Sequence, residues 1–311
     1  MTLKIYANKE RMLLDNWNGA YGNKILHLLF LINLSFKNSR RPVMLSGTNL
    51  DNIFSFSNKF DFVNIKEYPK NLSNFFLEID SFYRAYFPFN LPSLANKYFE
   101  KSLGKVLINA KRNYIAESKL LSLVSLPKKD GYIKGHFFEY ELMPSKQIYE
   151  QFLSPKIEII EFINKKYPTI FNAGSVAVHL RATDFDNHLR DIFKFGIALD
   201  DSYYEKAIEK MQGILGNGNI EYHLFSDDPE RISKIFSNHK FVLHDDSPEI
   251  DWVAINLMTK VIQSNSSFCW TASLYNKDIS IQPDCGYNYY EGTGSVPYNF
   301  QHKNSLTIKN K

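Results

Sequence analysis

The stretch Ser175-Val-Ala-Val-His-Leu-Arg-Ala-Thr-Asp184 decides how this chain is read. Its first six residues form a short, mostly apolar run, the pattern of a strand buried on both faces of a parallel sheet. The run leads into His179, Arg181 and Asp184. In open α/β sheets ligands sit outside the carboxyl ends of the strands, so this strand brings a guanidinium and a carboxylate to such an edge. Arginine is planar, always charged and able to hold two phosphate oxygens at once. The pattern His-x-Arg-x-x-Asp at a strand end therefore points to a nucleotide diphosphate. A surface Arg–Asp pair would satisfy the same residues with no ligand, and the flanking sequence has to separate the two readings.

Downstream the alternation is regular. Helices are expected at roughly 202–214, from Pro229 onward, 251–259 and 267–275, and strands at roughly 222–226, 240–244, 260–263 and 278–281. Strands alternating with helices imply right-handed βαβ units and a parallel sheet. Upstream, Gly22 to Lys37 carries apolar residues at helical spacing, Arg41 to Leu45 reads as a strand, and Tyr132 to Phe138 as a strand leading into a loop. Ser145 to Lys166 reads as one helix, and the Phe-, Asn- and Pro-rich part from Asp51 to Pro92 shows no clear period. Tyr167 to Gly174 reads as a linker, which divides the chain into 1–168 and 169–311.

Composition narrows the function classes. The 311 residues carry 44% hydrophobic and 23% charged side chains, as an ordinary globular protein does. The net charge of +4 is mild and scattered, which argues against a nucleic-acid footprint. Two cysteines, Cys269 and Cys285, form neither a disulfide framework nor a zinc spacing, so a reducing compartment is expected. The first residues lack the apolar core of a signal peptide. The longest apolar stretch, Ile25 to Phe36, contains His27 and Asn33 and is too short to span a bilayer. A cytoplasmic protein without a transmembrane segment is expected; peripheral association with the inner membrane face remains compatible with this.

Three further segments carry candidate chemistry. The loop from Gly19 to Lys24 opens a helix, and its glycines let backbone approach a ligand while Asn23 offers a donor; a plain helix cap explains it too. Leu224-Phe-Ser-Asp-Asp-Pro229 ends a strand and places Asp227 or Asp228 where a helix starts. Ser264-Asn-Ser-Ser-Phe-Cys-Trp270 follows a strand, and its hydroxyls and backbone N–H groups form either an anion cradle or a simple serine cap. Asp251 lies 16 residues before Ser267. A carboxylate there can accept N1–H and the exocyclic amine of guanine, a pairing adenine does not offer; the alternative is that Asp251 caps the helix beginning at Trp252.

Together these segments resemble glycosyltransferase family 11, the α1,2-fucosyltransferases, within the wider set of GDP-fucose-dependent enzymes. Gly19-Ala-Tyr-Gly-Asn23 is similar to the family's Gly-x-x-Gly-Asn-Gln opening, and Gly135-His-Phe-Phe138 to its Gly-Tyr-Phe-Gln. His179-Leu-Arg-Ala-Thr-Asp184 resembles His-x-Arg-Arg-x-Asp, and Ser202 to Ile208 resembles the Tyr-Tyr helix start. Phe225-Ser-Asp-Asp228 and Asn265 to Trp270 resemble the last two motifs, and the matches run in family order. Three positions depart: Lys24 stands for Gln, Ala182 for the second Arg, and Thr271 for a second Trp.

The resemblance implies a GT-B-like α/β fold of two Rossmann-like domains with a cleft between them, the acceptor on the N-terminal side (1–168) and the GDP-sugar on the C-terminal side (169–311). It implies inverting transfer of fucose from GDP-L-fucose to a glycan hydroxyl, α1,2 to galactose, with an oligosaccharide or lipid-linked glycan as acceptor and with neither cofactor nor metal. In that scheme Arg181 holds the β-phosphate, and Ser266 and Ser267 hold phosphate oxygens. Gly22, Asn23 and Asp227 line the nucleotide-sugar site, and His179 and Asp251 read guanine. Asp184 orients Arg181, and Asp186 or His188 serves as general base. A transferase for another GDP-sugar, or a non-catalytic GDP-sugar or glycan-binding protein on the same scaffold, is the alternative.

Overall fold

The structure is a computed structural model that describes residues 3–7, 11–15, 21–37, 39, 41–45, 48–63, 106–109, 131–135, 140–182, 198–216, 218–275, 277–284 and 305–308. The N-terminal half contributes β1 (Leu3–Ala7), β2 (Arg11–Asp15), α1 (Tyr21–Lys37), β3 (Arg41–Leu45), β4 (Phe54–Phe56), β5 (Asp61–Val63), β6 (Val106–Asn109) and β7 (Gly131–Gly135). Six of these strands form a mixed sheet in the order β5-β3-β2-β1-β7-β6. In it β1 runs antiparallel to β2 and β7, and the other pairs are parallel.

The expected single helix from Ser145 to Lys166 is two helices split by a strand: α2 (Lys146–Glu150), β8 (Leu153–Pro155) and α3 (Ile157–Lys166). The cause is Pro155, which lacks an amide donor and cannot sit inside a helix, together with pairing of β8 against β4. Ser145 caps α2 by accepting the Ile148 N–H. The linker segment is packed as well. Pro168–Phe171 forms a 3-10 turn, and Tyr167 and Ile170 are buried.

The C-terminal half runs β9 (Ser175–Leu180), α4 (Asp201–Leu215), β10 (Glu221–Ser226), α5 (Pro229–Ile235), β11 (Phe241–Leu243), α6 (Pro248–Leu257), β12 (Lys260–Ile262), α7 (Ser267–Ala272), β13 (Ile279–Pro283) and β14 (Leu306–Ile308). These six strands are all parallel, in the order β11-β10-β9-β12-β13-β14. All six residues of β9 are buried, as the continuous apolar run requires. The expected helix at 251 instead begins at Pro248, because Ser247 followed by a proline is a better start. Asp251 is therefore inside the first turn and is not the cap.

Each face of this sheet builds a core. One face packs Val176, Val178, Leu180 and Leu224 against Tyr203, Tyr204 and Met211 of α4. The other places Ala177, Phe225 and Val261 in one cluster with Trp252 of α6, Trp270 of α7 and α1. Residues 25–35 of α1 are buried throughout, which explains a helix apolar on nearly every side. This second core joins the halves, and it brings the first turn of α1 against the start of α7.

Candidate nucleotide-diphosphate site

The strand order turns at β9. Successive strands β9, β10 and β11 step one way, and β12, β13 and β14 step the other. This is the Rossmann order, and its crevice opens outside the carboxyl ends of β9 and β12. Arg181 follows β9, and Ser264 to Ser267 follow β12, so the two segments singled out in the sequence flank that crevice.

Arg181 is 31% exposed, and its Nε lies 3.5 Å from Asp227 Oδ2 at the end of β10. Asp227 Oδ1 accepts the Ala182 N–H at 2.9 Å. One carboxylate thus fixes both the guanidinium and the backbone beside it. Asp228 caps α5 by accepting the Arg231 N–H at 3.0 Å, which leaves its neighbour for this task. The role of orienting Arg181 was expected of Asp184; among the described residues it falls to Asp227. Asp184, Asp186 and His188 lie outside the described residues.

The serines form a chain of short-range bonds. Ser264 Oγ lies 2.7 Å from His179 Nδ1 and accepts the Ser266 N–H at 3.3 Å. Ser266 caps α7 through the Phe268 N–H. Ser267 Oγ donates to Asn23 Oδ1 at 2.8 Å across 244 residues of sequence. His179 is buried, with its ring stacked on Phe268 at 5.5 Å. Burial, aided by the Arg181 charge, lowers its pKa to about 3, so it is a neutral donor–acceptor at physiological pH.

The N-terminus of α1 completes the wall. A Cβ on Gly22 would sit 2.3 Å from the Phe268 nitrogen and 2.6 Å from the Ser267 carbonyl carbon. A ligand was expected to use this open backbone; the structure has the backbone of α7 in that place. Next to it Tyr21 donates to the Glu249 carboxylate. Asn23 and Ser267 therefore present one polar edge made by both halves.

Asp251 lies on α6, the helix that follows β11. Its Oδ1 is buried and has no hydrogen-bond partner among the described residues. Burial, with Asp246 and Asp245 adding, raises its carboxyl to about 8. One ligating atom each of Asp251, His244 and Asp246 falls within 4.8 Å of the others. Asp246 is already engaged, by Lys166 Nζ at 2.8 Å and by the Tyr167 hydroxyl at 2.6 Å. An ammonium thus fills the cationic role there. Sequence reasoning missed this network of Lys166, Tyr167, His223, His244 and Asp246. The available signal was alternation, which places His223 and Phe225 on one face of β10.

No protein-family model and no curated protein matches the chain. Solved structures do. It is similar to fucosyltransferase NodZ from Bradyrhizobium, at 12% identity and a TM-score of 0.50, over 82% of this chain and 88% of that one. It is also similar to a point mutant of Arabidopsis thaliana FUT1 in complex with GDP, at 11% identity and a TM-score of 0.52, over 82% of this chain and 66% of that one. The fold is GT-B-like. At such identities the likeness speaks for architecture alone, and the site has to be read from its own residues. Two departures from the motifs have a local cause in this GT-B-like frame. Ala182 is 1% exposed inside the α4-side core, where a long guanidinium would not fit. Thr271 is buried and accepts the Trp252 indole N–H at 3.1 Å. Among the described residues no helix is long and apolar enough to cross a membrane.

Proposed function

We propose that the protein is an inverting glycosyltransferase that moves fucose from GDP-L-fucose to a hydroxyl of a glycan acceptor, α1,2 to galactose. The observation that carries this reading is Arg181, held by Asp227 at the strand-order reversal, with the Asn23–Ser267 bond following the adjacent strand β12. As the sugar–phosphate bond breaks, GDP gains negative charge. A guanidinium already fixed in place stabilises that charge without reorganising. The N–H groups at the start of α7 add to the same field. No divalent cation is needed in this scheme. The sugar would reach an oxocarbenium-like state, as in glycoside hydrolysis, with Asp186 or His188 taking the acceptor proton.

Asp251 would read the base. Its Oδ1, without a partner among the described residues, is a buried acceptor that guanine N1–H and N2–H₂ would satisfy and adenine would not. A polar group left unpaired by the wrong ligand rejects it strongly. The names borne by the structural neighbours, a fucosyltransferase and a GDP complex, support the same donor class.

A panel of nucleotide sugars against glycan acceptors, read by GDP release, tests this. Release from GDP-fucose that rises with a galactoside acceptor is the expected result. Faster release from another GDP-sugar would reassign the donor, and tight GDP-sugar binding without release would make the protein a binding module.

A further inference from the structure

His244 follows β11 and is buried, with its ring between Tyr167 (centroids 3.9 Å apart) and Phe225 (4.1 Å). Its Nε2 is 2.9 Å from His223 Nδ1. Among the described residues the remaining nitrogen, Nδ1, is buried without a hydrogen-bond partner, as is Asp251 Oδ1. The other groups nearby are occupied. Asp246 is held by Lys166 and Tyr167, and Lys166 also reaches Asp245 at 3.1 Å. At the far end of the pair, Glu221 lies 3.7 Å from His223 Nε2 and is held by Lys240 at 2.8 Å. Glu249, on the same helix as Asp251, is taken by Tyr21.

Both histidines are neutral, since burial lowers His223 to about 4 and His244 to about 3. A neutral imidazole carries one N–H, so the hydrogen shared between the two rings fixes both outer nitrogens. If His223 donates, His244 carries its hydrogen on Nδ1. If His244 donates, its Nδ1 is a bare lone pair and His223 Nε2–H turns to Glu221. Glu221 already has a lysine; the Asp251 oxygen has no partner among the described residues. In the free protein Asp251 holds its proton up to about 8 and suits a bare Nδ1; ionised beneath the two N–H donors of guanine, it selects the first arrangement.

Given Asp251 as the guanine reader proposed above, we infer that His244 is a positioning residue for base recognition: it presents Nδ1–H toward Asp251, so that this side chain stands as an oriented carboxylate facing guanine. Its partner His223 sets the tautomer, and Tyr167 and Phe225 hold the plane of the ring. The charges around Asp251, with Asp245 and Asp246 opposing its ionisation and Lys166 favouring it, make a fixed donor consequential.

Calorimetric titration of the full-length protein with GDP and ADP between pH 6 and 9 tests this. His244→Phe keeps the ring between its neighbours and removes both nitrogens. It should weaken GDP binding about three- to tenfold, the effect of one net hydrogen bond, and move the midpoint of its pH dependence upward. His244→Asn, which returns an N–H near the Nδ1 position, should recover most of the loss. Unchanged affinity and midpoint in His244→Phe, with Asp251→Asn still weakening GDP, would overturn the role of His244 and leave the guanine reading intact. Equal losses in the Phe and Asn variants at unchanged thermal stability would also overturn it. An unchanged GDP-to-ADP ratio in Asp251→Asn would remove the guanine reading and this role with it. Should His244→Phe fail to fold, imidazole ¹⁵N shifts of the GDP-bound wild-type protein decide: a protonated Nδ1 on His244 is expected, and a protonated Nε2 refutes it.

Discussion

Replacing Gly22 by alanine is the most direct test of how the halves meet. The added Cβ would lie 2.3 Å from the Phe268 nitrogen, 2.6 Å from Phe268 Cα and 2.6 Å from the Ser267 carbonyl carbon, all backbone atoms. Ordinary contact begins at 3.4 Å, so α1 and α7 must part by about 1 Å. Neither can yield easily, because Ile25 and Leu26 below Gly22 and Cys269 and Trp270 behind Phe268 are buried in one core. Overpacking of this kind costs about 1–3 kcal/mol. The 2.8 Å Ser267–Asn23 bond would stretch past hydrogen-bond range, adding about 1 kcal/mol. Helix propensity acts the other way, favouring alanine by up to about 1 kcal/mol. The net expectation is a loss of about 1–3 kcal/mol in urea unfolding, with weaker GDP binding because α7 carries Ser266 and Ser267. Gly213→Ala is the control. A Cβ there meets nothing within 4 Å, so the same substitution should be neutral or stabilise by up to about 1 kcal/mol. A Gly22→Ala protein as stable as wild type, binding GDP equally well, would refute the close approach of the two helices.

Arg181→Ala should cost about 2–4 kcal/mol of transition-state stabilisation, roughly 30- to 1000-fold in turnover, and Arg181→Lys should restore only part because a point charge lacks the fork; wild-type turnover in Arg181→Ala would remove Arg181 from the site, and full recovery in Arg181→Lys would remove the fork. Asp227→Asn keeps the bond to the Ala182 N–H but loses the charge beside Arg181, so GDP binding should fall less than in Arg181→Ala, with helix content by circular dichroism unchanged because Asp228, not Asp227, caps α5. Transferase activity should persist in excess EDTA; complete loss restored by Mn²⁺ or Mg²⁺ would show that a cation, not Arg181, neutralises the diphosphate. Stability should fall on the acid side of pH 6.5. Below it, His179, His223 and His244, with folded pKa values of about 3, 4 and 3, are protonated in the unfolded chain first, so stability is lost as pH falls from 6.5 toward 4. Asp251 runs the other way, holding its proton up to about 8 when folded, so its own contribution declines as pH rises from about 4 to 8, while buried Lys277, lowered to about 7, adds stability as pH rises beyond that value. Three histidines against one aspartate leave a net acid-side slope of about two protons, which a pH series of urea midpoints measures, and Asp251→Asn should steepen it to about three.

What the sequence determined by itself was whatever rests on local periodicity. The buried strand Ser175–Leu180 was legible because a six-residue apolar run has few other uses. The alternation after it implied a parallel sheet, and a parallel sheet puts Arg181 and the serine run at one edge. Pro155 and the Ser247-Pro248 pair were local signals too, and attention to them would have broken the long helix at Pro155 and moved the start of α6 to Pro248. Only the tertiary structure decided what pairs with what. Asp227 reaches Arg181 because β9 and β10 are neighbours in register, with Phe225 opposite His179. Asn23 meets Ser267, and Gly22 has the α7 backbone against it, because α1 is swallowed by a core that both halves build. His223, His244 and Asp251 come together through a sheet face and a helix that carry no mutual signal along the chain. Strand propensity and helix caps are set by neighbours in sequence, whereas the orientation of a guanidinium and the loneliness of a buried carboxylate are set by whichever distant segments the packing brings beside them.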